Sequence, residues 1–211
     1  MKIAIFGATG GTGRALVEQA LAMGHPVTCL VRDPTRMASR EGITTMQGDA
    51  RDADAVAQVV AGQDAVLSAL GSASLKENDL LDRASANILR GMQQHGVRRL
   101  IVLGAAGAST GADKYMNPLE KLMLVVLRAT LLKYPFQDQA AQERHLEASD
   151  VDYTIVRPPR LTNGPRTARY RVQLDGLPKD GSKIARADVA DFMLKQLMDP
   201  TFIRRGPFLA D

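Results

Sequence analysis

Along this chain, short runs that are apolar at nearly every position alternate with longer stretches in which apolar residues recur every three or four positions. Lys2–Phe6, Val27–Val31, Ile43–Gln47, Ala65–Ser68, Arg99–Leu103 and Tyr153–Val156 are the short runs, and they predict β-strands. Arg14–Met23, Ala53–Val60, Leu80–His95, Leu119–Leu132 and Gln137–Ser149 carry the helical period. Strands that lack polar alternation are buried on both faces, as in a parallel sheet covered by helices. The pattern therefore predicts a doubly wound α/β fold with a mainly parallel sheet.

Beyond Pro158-Pro159 the pattern becomes irregular. Arg160–Gly181 mixes Gly, Pro and Arg around one predicted strand, Tyr170–Leu174; Arg186–Met198 then reads as an amphipathic helix and Pro207–Leu209 as a short strand. No repeat, low-complexity segment or linker divides the chain. Residues 1–211 read as a single domain, with a small irregular C-terminal part from about residue 157 to 211 on the substrate side. Leu119–Leu127 is apolar around most of its helical circumference, for which burial in the monomer core is the simplest reading. A dimer contact or the wall of an apolar pocket are the alternatives.

Composition narrows the function classes. With 45% hydrophobic and 24% charged residues, 211 residues suffice for a substantial core. The net charge of +4 and pI near 9.4 raise the question of nucleic acid. Residues 1–150 are balanced, however, at 16 basic and 16 acidic side chains, and the excess lies in the last 61 residues, 11 against 7. With no Trp and 4% aromatic residues there is little to stack on bases, so no nucleic-acid partner is expected. Cys29 is the one cysteine, and His25, His95 and His145 are far apart, so neither a disulfide framework nor a metal site is expected. The start of the chain has too few apolar residues before Gly7 for a signal peptide, and no stretch is long enough to span a bilayer. A cytoplasmic protein without a membrane partner is the expectation.

The most specific feature is Gly7-Ala8-Thr9-Gly10-Gly11-Thr12-Gly13, directly after the first strand and opening the first helix. At such a turn the missing Cβ atoms let backbone approach a diphosphate, whose charge meets the free N–H groups and positive end of the helix. Arg14 follows Gly13, so the Gly-Lys-Ser/Thr of a nucleoside-triphosphate loop is absent. The predicted fold is thus Rossmann-like and binds a dinucleotide. The second strand ends in Leu30-Val31-Arg32-Asp33-Pro34-Thr35-Arg36, where such folds choose between NAD and NADP. Arg32 and Arg36 suit a 2′-phosphate, which predicts NADP(H) in preference to NAD(H). Asp33, 20 residues past Gly13, stands where an NAD-type carboxylate is expected, but ahead of Pro34 it reads better as the cap of the next turn.

These residues, together with Gly48-Asp49, Val59-Val60-Ala61-Gly62-Gln63-Asp64-Ala65-Val66 and Asp152-Tyr153-Thr154-Ile155-Val156-Arg157-Pro158-Pro159, resemble the atypical short-chain dehydrogenase/reductases. The likeness is to the flavin reductase/biliverdin-IXβ reductase-like branch, which shades into NmrA-like proteins. It is strong over residues 1–103, fair over 139–160 and poor between them. The resemblance implies that Gly7, Thr9, Gly10, Gly11, Thr12 and Gly13 hold the diphosphate, Arg32 and Arg36 the 2′-phosphate, and Gly48, Asp49 and Ala50 the adenine. It implies that Ala69, Leu70 and Gly71 line the nicotinamide ribose and that Pro158 and Pro159 flank the nicotinamide. Ala105, Ala106 and Arg160 would then face the substrate.

The superfamily's Tyr-x-x-x-Lys pair is missing: Leu119, Asp138, Arg157 and Leu174 follow the four tyrosines at that spacing. Ala105 stands where the branch usually has Ser, and Arg160 where it usually has His. No catalytic residue is assigned, and hydride can still pass directly to a conjugated acceptor. Gly107-Ala108-Ser109-Thr110-Gly111 imitates a hydrolase elbow, with Asp138 and His145 following in order. Asp138 and His145 share one predicted helix at a separation of roughly 10.5 Å, too far to pair. Leu103–Asn117 reads instead as a mobile lid. The expected function is an NADPH-dependent reductase acting on a flat conjugated acceptor such as a flavin, quinone or tetrapyrrole, with FMN or another flavin a candidate substrate. A non-catalytic NmrA-like NADP(H) sensor is the alternative. Its expected partner is a small molecule, bound by a monomer or homodimer.

Overall fold

The computed structural model describes residues 1–71, 75–76, 78–109, 111 and 113–211, without the side chain of Glu120. Strands β1 (Ile3–Phe6), β2 (Val27–Val31), β3 (Ile43–Gln47), β4 (Ala65–Ser68), β5 (Arg99–Leu103) and β6 (Asp152–Val156) form one sheet. Its order is β3-β2-β1-β4-β5-β6 and every pairing is parallel. This is the Rossmann-like order, with the direction of winding reversing between β1 and β4.

Helices α1 (Gly11–Ala22), α2 (Ala53–Val60), α3 (Leu80–His95), α4 (Pro118–Ala129), α5 (Lys133–Ala148) and α6 (Arg186–Lys195) connect the strands. Because side chains alternate along a strand, β1 feeds two cores at once. Ile3 and Ile5 pack with Leu16, Val17, Val189 and Met193 of α1 and α6. Ala4 and Phe6 pack with Val56, Val59, Ile88, Met92 and Leu146 of α2, α3 and α5. Cys29 of β2 belongs to the first core, and burial pushes its thiol up to about 12 from 9.0. The folded protein therefore holds a neutral thiol, and this contribution to stability is lost as pH rises from about 9 towards 12. Cys29 is expected to resist alkylation at pH 8 in the native state and to react stoichiometrically once denatured; rapid native labelling would show that the first core opens.

The irregular C-terminal part contains more strand than its sequence suggests. Strands β7 (Arg160–Thr162) and β9 (Lys183–Ala185) pair in parallel, and β8 (Arg171–Gln173) pairs antiparallel with β10 (Phe208–Ala210). Three-residue strands are too short to display a period. The single helix expected over 119–132 stops at Ala129, and α5 starts at Lys133 rather than Gln137. The Thr130 hydroxyl donates to the Val126 carbonyl and Leu132 N–H to Leu127 O, closing the first helix while the apolar pattern runs on.

Helix α4 is the clearest departure. Core burial is the simplest expectation for it, yet Leu119, Leu122, Met123, Val125 and Val126 are each more than half exposed. It stands outside the sheet, with only part of its surface turned inward.

Candidate functional site

The glycine turn is built by contacts that no side chain could share. Gly7 has φ +80°, and a Cβ there would lie 2.6 Å from the Ala69 carbonyl oxygen. The ends of β1 and β4 thus pass backbone to backbone, held by Ala69 N–H donating to Phe6 O at 2.9 Å. A Cβ on Gly13 would lie 2.0 Å from Gly7 O. Gly10 precedes α1 in an extended conformation and offers no side-chain cap, so the first N–H groups of α1 have no side chain over them from that residue. Thr12 is buried against the fold and Thr9 half-buried. Ala69, Leu70 and Gly71 continue from β4 directly beside this turn.

Arg32 and Arg36 are both exposed just beyond β2, and among the described residues neither is in an ion pair. Asp33 caps the short turn Pro34–Arg36: its Oδ1 accepts from Thr35 N–H at 3.0 Å and the Thr35 hydroxyl at 2.6 Å. Those bonds hold its carboxyl below the usual carboxylate range. Gly48, Asp49 and Ala50 form the turn from β3 to α2. Gly48 N–H donates to Val31 O, Asp49 Oδ1 accepts from Arg51 N–H, and Ala50 O accepts from the Asn87 amide.

A cleft of about 810 Å³ opens at the carboxyl ends of β5 and β6. Its lining includes Ala105, Ala106, Pro158, Pro159 and Arg160, all singled out from the sequence. Ala106 N–H donates to Pro158 O at 2.9 Å, which locks the two strand ends together. The inner side of α4 contributes Met123, Leu124 and Leu127, and Phe136 comes from α5. Helix α4 therefore forms the wall of an apolar cavity, one of the alternatives to core burial. Arg160 and Lys179, with Asp180 beside them, bring charge of net positive sign to an otherwise mostly apolar surface.

Three features escaped the sequence reading. Of the four tyrosines only Tyr115 lines this cleft, with the Lys114 ammonium 5.2 Å from its ring centre. Half-buried Glu143 of α5 accepts from Arg157 at 2.7 Å and from the Ser109 hydroxyl at 3.2 Å, tying the loop after β5 to the end of β6. Gln139 is buried, and its Nε2 has no partner among the described residues; it points to Gly104 at the end of β5. The cleft position of Tyr115 and the contacts of Glu143 and Gln139 depend on α5 and loops meeting the strand ends, for which a single sequence carries no signal.

The hydrolase imitation dissolves. Asp138 accepts from the N–H groups of Leu81 and Asp82 and so caps α3, while His145 Nε2 lies 2.7 Å from Asp82 Oδ1. Ser109 is buried and bonded to Glu143. Thr110 of that motif, and Thr110 and Ala112 of the expected lid, lie outside the described residues.

Sheet order and glycine turn together define a dinucleotide-binding protein of Rossmann-like fold. The chain belongs to the NAD(P)H-binding family, whose model matches residues 7–200. It is 24% identical to probable pinoresinol-lariciresinol reductase 3 of Arabidopsis thaliana over 99% of this chain and 67% of that one. It is 26% identical to the protein YwnB of Bacillus subtilis, covering 95% of this chain and 93% of the relative. Among solved structures, the anaerobillin reductase ChuY of Escherichia coli O157:H7 superposes with TM-score 0.81 at 23% identity, over 100% of this chain and 97% of that one. Among the described residues no helix is long and apolar enough to cross a membrane.

Proposed function

We propose that this protein is an NADPH-dependent reductase whose acceptor is a flat conjugated molecule such as a flavin, quinone or tetrapyrrole. The observation that carries the reading is the juxtaposition of two surfaces at the carboxyl ends of the strands: the glycine turn, and the apolar cleft bounded by Ala105, Ala106, Pro158 and Pro159. A dinucleotide fits the turn because Gly7 and Gly13 let β1, β4 and α1 close backbone to backbone, while Gly10 leaves the first N–H groups of α1 without a side-chain cap to meet a diphosphate. Bound there, NADPH supplies a hydride.

The chain's own residues bind and orient. Gly7, Thr9, Gly10, Gly11, Thr12 and Gly13 hold the diphosphate; Gly48, Asp49 and Ala50 border the adenine; Ala69, Leu70 and Gly71 line the ribose next to the nicotinamide. Pro158 and Pro159, which line the cleft, would flank the nicotinamide. The rigid prolines and the apolar wall from α4 and α5 would exclude water and orient the acceptor, and positioning of this kind supplies much of the rate of a direct transfer. Arg160 and Lys179 suit an acceptor that carries an anionic group. The protein works as a monomer or homodimer with small-molecule partners alone.

Purified protein is expected to oxidise NADPH in the presence of FMN, a quinone or a linear tetrapyrrole well above the rate without acceptor. Tight NADPH binding with no turnover on any of the three would favour the sensor reading instead. Arg32 and Arg36 are assigned to the 2′-phosphate, since Asp33 already spends Oδ1 on Thr35. Replacing both by Gln is expected to raise the Kd for NADPH about ten- to a hundredfold and leave NADH within about twofold. Equal losses for the two cofactors would remove the assignment.

A further inference from the structure

Gly11 is exposed and has an unstrained backbone, so neither φ nor sheet packing explains a glycine there. What a side chain would meet is Arg186: a Cβ on Gly11 would lie 2.6 Å from its Cδ and 2.9 Å from its Nε. The arginine side chain crosses the opening of α1 at the residue where the dinucleotide turn becomes helix.

Its placement is built from the C-terminal part. The short strand β9 runs straight into α6, making Arg186 the first residue of that helix. Gln19 of α1 donates to Ala187 O at 2.8 Å, fixing the start of α6 against α1. Asn163, just after β7, accepts from Arg186 Nη1 at 2.7 Å. Both contacts aim the guanidinium, and neither neutralises it.

Positive charge gathers at this position, with Asp188 the one acid in the first turn of α6. Arg186 sits in the first turn of α6 and beside the first residue of α1, so the positive ends of two helices meet a permanent cation. The carboxylates of α6 are engaged elsewhere. Asp188 accepts from Thr167 N–H, Ala168 N–H and the Thr167 hydroxyl. Asp191 takes Arg166, Tyr170 and Lys195. Among the described residues no acid pairs with Arg186. Asn163 is its one hydrogen-bond partner among the described residues, so the guanidinium keeps donors for an anion at the opening of α1.

We infer that Arg186, admitted by the bare Gly11 and steered by Asn163, is a diphosphate-binding residue that closes over the glycine turn from the C-terminal part. This assignment rests on the dinucleotide reading of the turn. It also gives the C-terminal part a share in cofactor binding that the first-strand motif alone does not reveal.

The test compares Arg186→Met, which keeps the stem and removes the charge, with Arg186→Lys. Each is titrated with NADPH and with adenosine 2′-monophosphate, which lacks the diphosphate. Arg186→Met is expected to weaken NADPH about ten- to a hundredfold and to leave the monophosphate within twofold. Arg186→Lys should recover part of the loss, with the unfolding midpoints of both variants close to that of the wild type. Gly11→Ala, by displacing the arginine, should weaken NADPH in the wild type and add little to Arg186→Met. Unchanged NADPH affinity in Arg186→Met, or an equal loss for both ligands, would overturn the inference while the reductase reading stood. A wild type that bound no NADPH would overturn both.

Discussion

Gly13→Ala is expected to abolish NADPH binding and to destabilise the protein by about 3 kcal/mol or more. Position 13 lies within α1, where replacing Gly by Ala normally gains up to about 1 kcal/mol of helix propensity. Here the sign reverses. The new Cβ would lie 2.0 Å from Gly7 O, and both partners are backbone, so no rotamer change relieves the clash. Either α1 lifts off β1 or the Gly7 turn unwinds, and both outcomes destroy the cradle. Gly164→Ala is a suitable control, since its Cβ would meet Ala185 at 3.5 Å, an ordinary contact, and should stay within about 0.5 kcal/mol of the wild type. Urea unfolding and NADPH titration of the two variants provide the check. A Gly13→Ala protein of native stability and affinity would mean that α1 and the turn pack differently.

Arg157→Met is expected to cost about 3–5 kcal/mol, because it strands the Glu143 carboxylate in the interior. Both side chains are 16% exposed and their ion pair is 2.7 Å long. The guanidinium also lies 5.5 Å from the Phe208 ring centre and donates to Gly206 O, so it joins α5, β6 and the C-terminal strand. For a chain of this size the loss corresponds to a fall in Tm on the order of 10 °C. Pairing it with Glu143→Met should restore most of the stability, since a buried ion pair replaced as a unit by apolar groups is often neutral. The function should not return with it. Glu143 also holds Ser109, and through it the loop that carries Ala105 and Ala106 into the cleft. Thermal unfolding and NADPH oxidation with FMN, measured on both variants, separate the two effects. A single variant as stable as the wild type would show that the pair contributes nothing net.

Periodicity sufficed for the sheet. Strands buried on both faces cannot hide their pattern, and the six main strands stand within a residue of their expected bounds, although β3, at the edge of the sheet, exposes Thr44, Thr45 and Gln47. The glycine turn was equally legible, because its chemistry is local: strand, turn and helix start are consecutive in the chain. Asp33 shows the same locality, its cap on Thr35 spanning two residues. Helix α4 was misleading for the opposite reason. Its apolar circumference says that it avoids water but does not say what covers it, and here the inward side meets a cleft rather than the core.

What remained hidden joins residues far apart in the chain. Asp138 and His145 invite a catalytic reading until Leu81 and Asp82 arrive from α3 to claim them, more than fifty residues away. Arg186 is indistinguishable in sequence from the other arginines of a basic C-terminal part. Chain order alone therefore dictates the main strands, most of the helices and the dinucleotide turn, since backbone geometry and burial pattern act on neighbouring residues. The apolar cleft, the Glu143–Arg157 tie and the cation over Gly11 arise when the C-terminal part folds back across the strand ends, because contact between distant residues depends on three-dimensional packing and leaves no period to read.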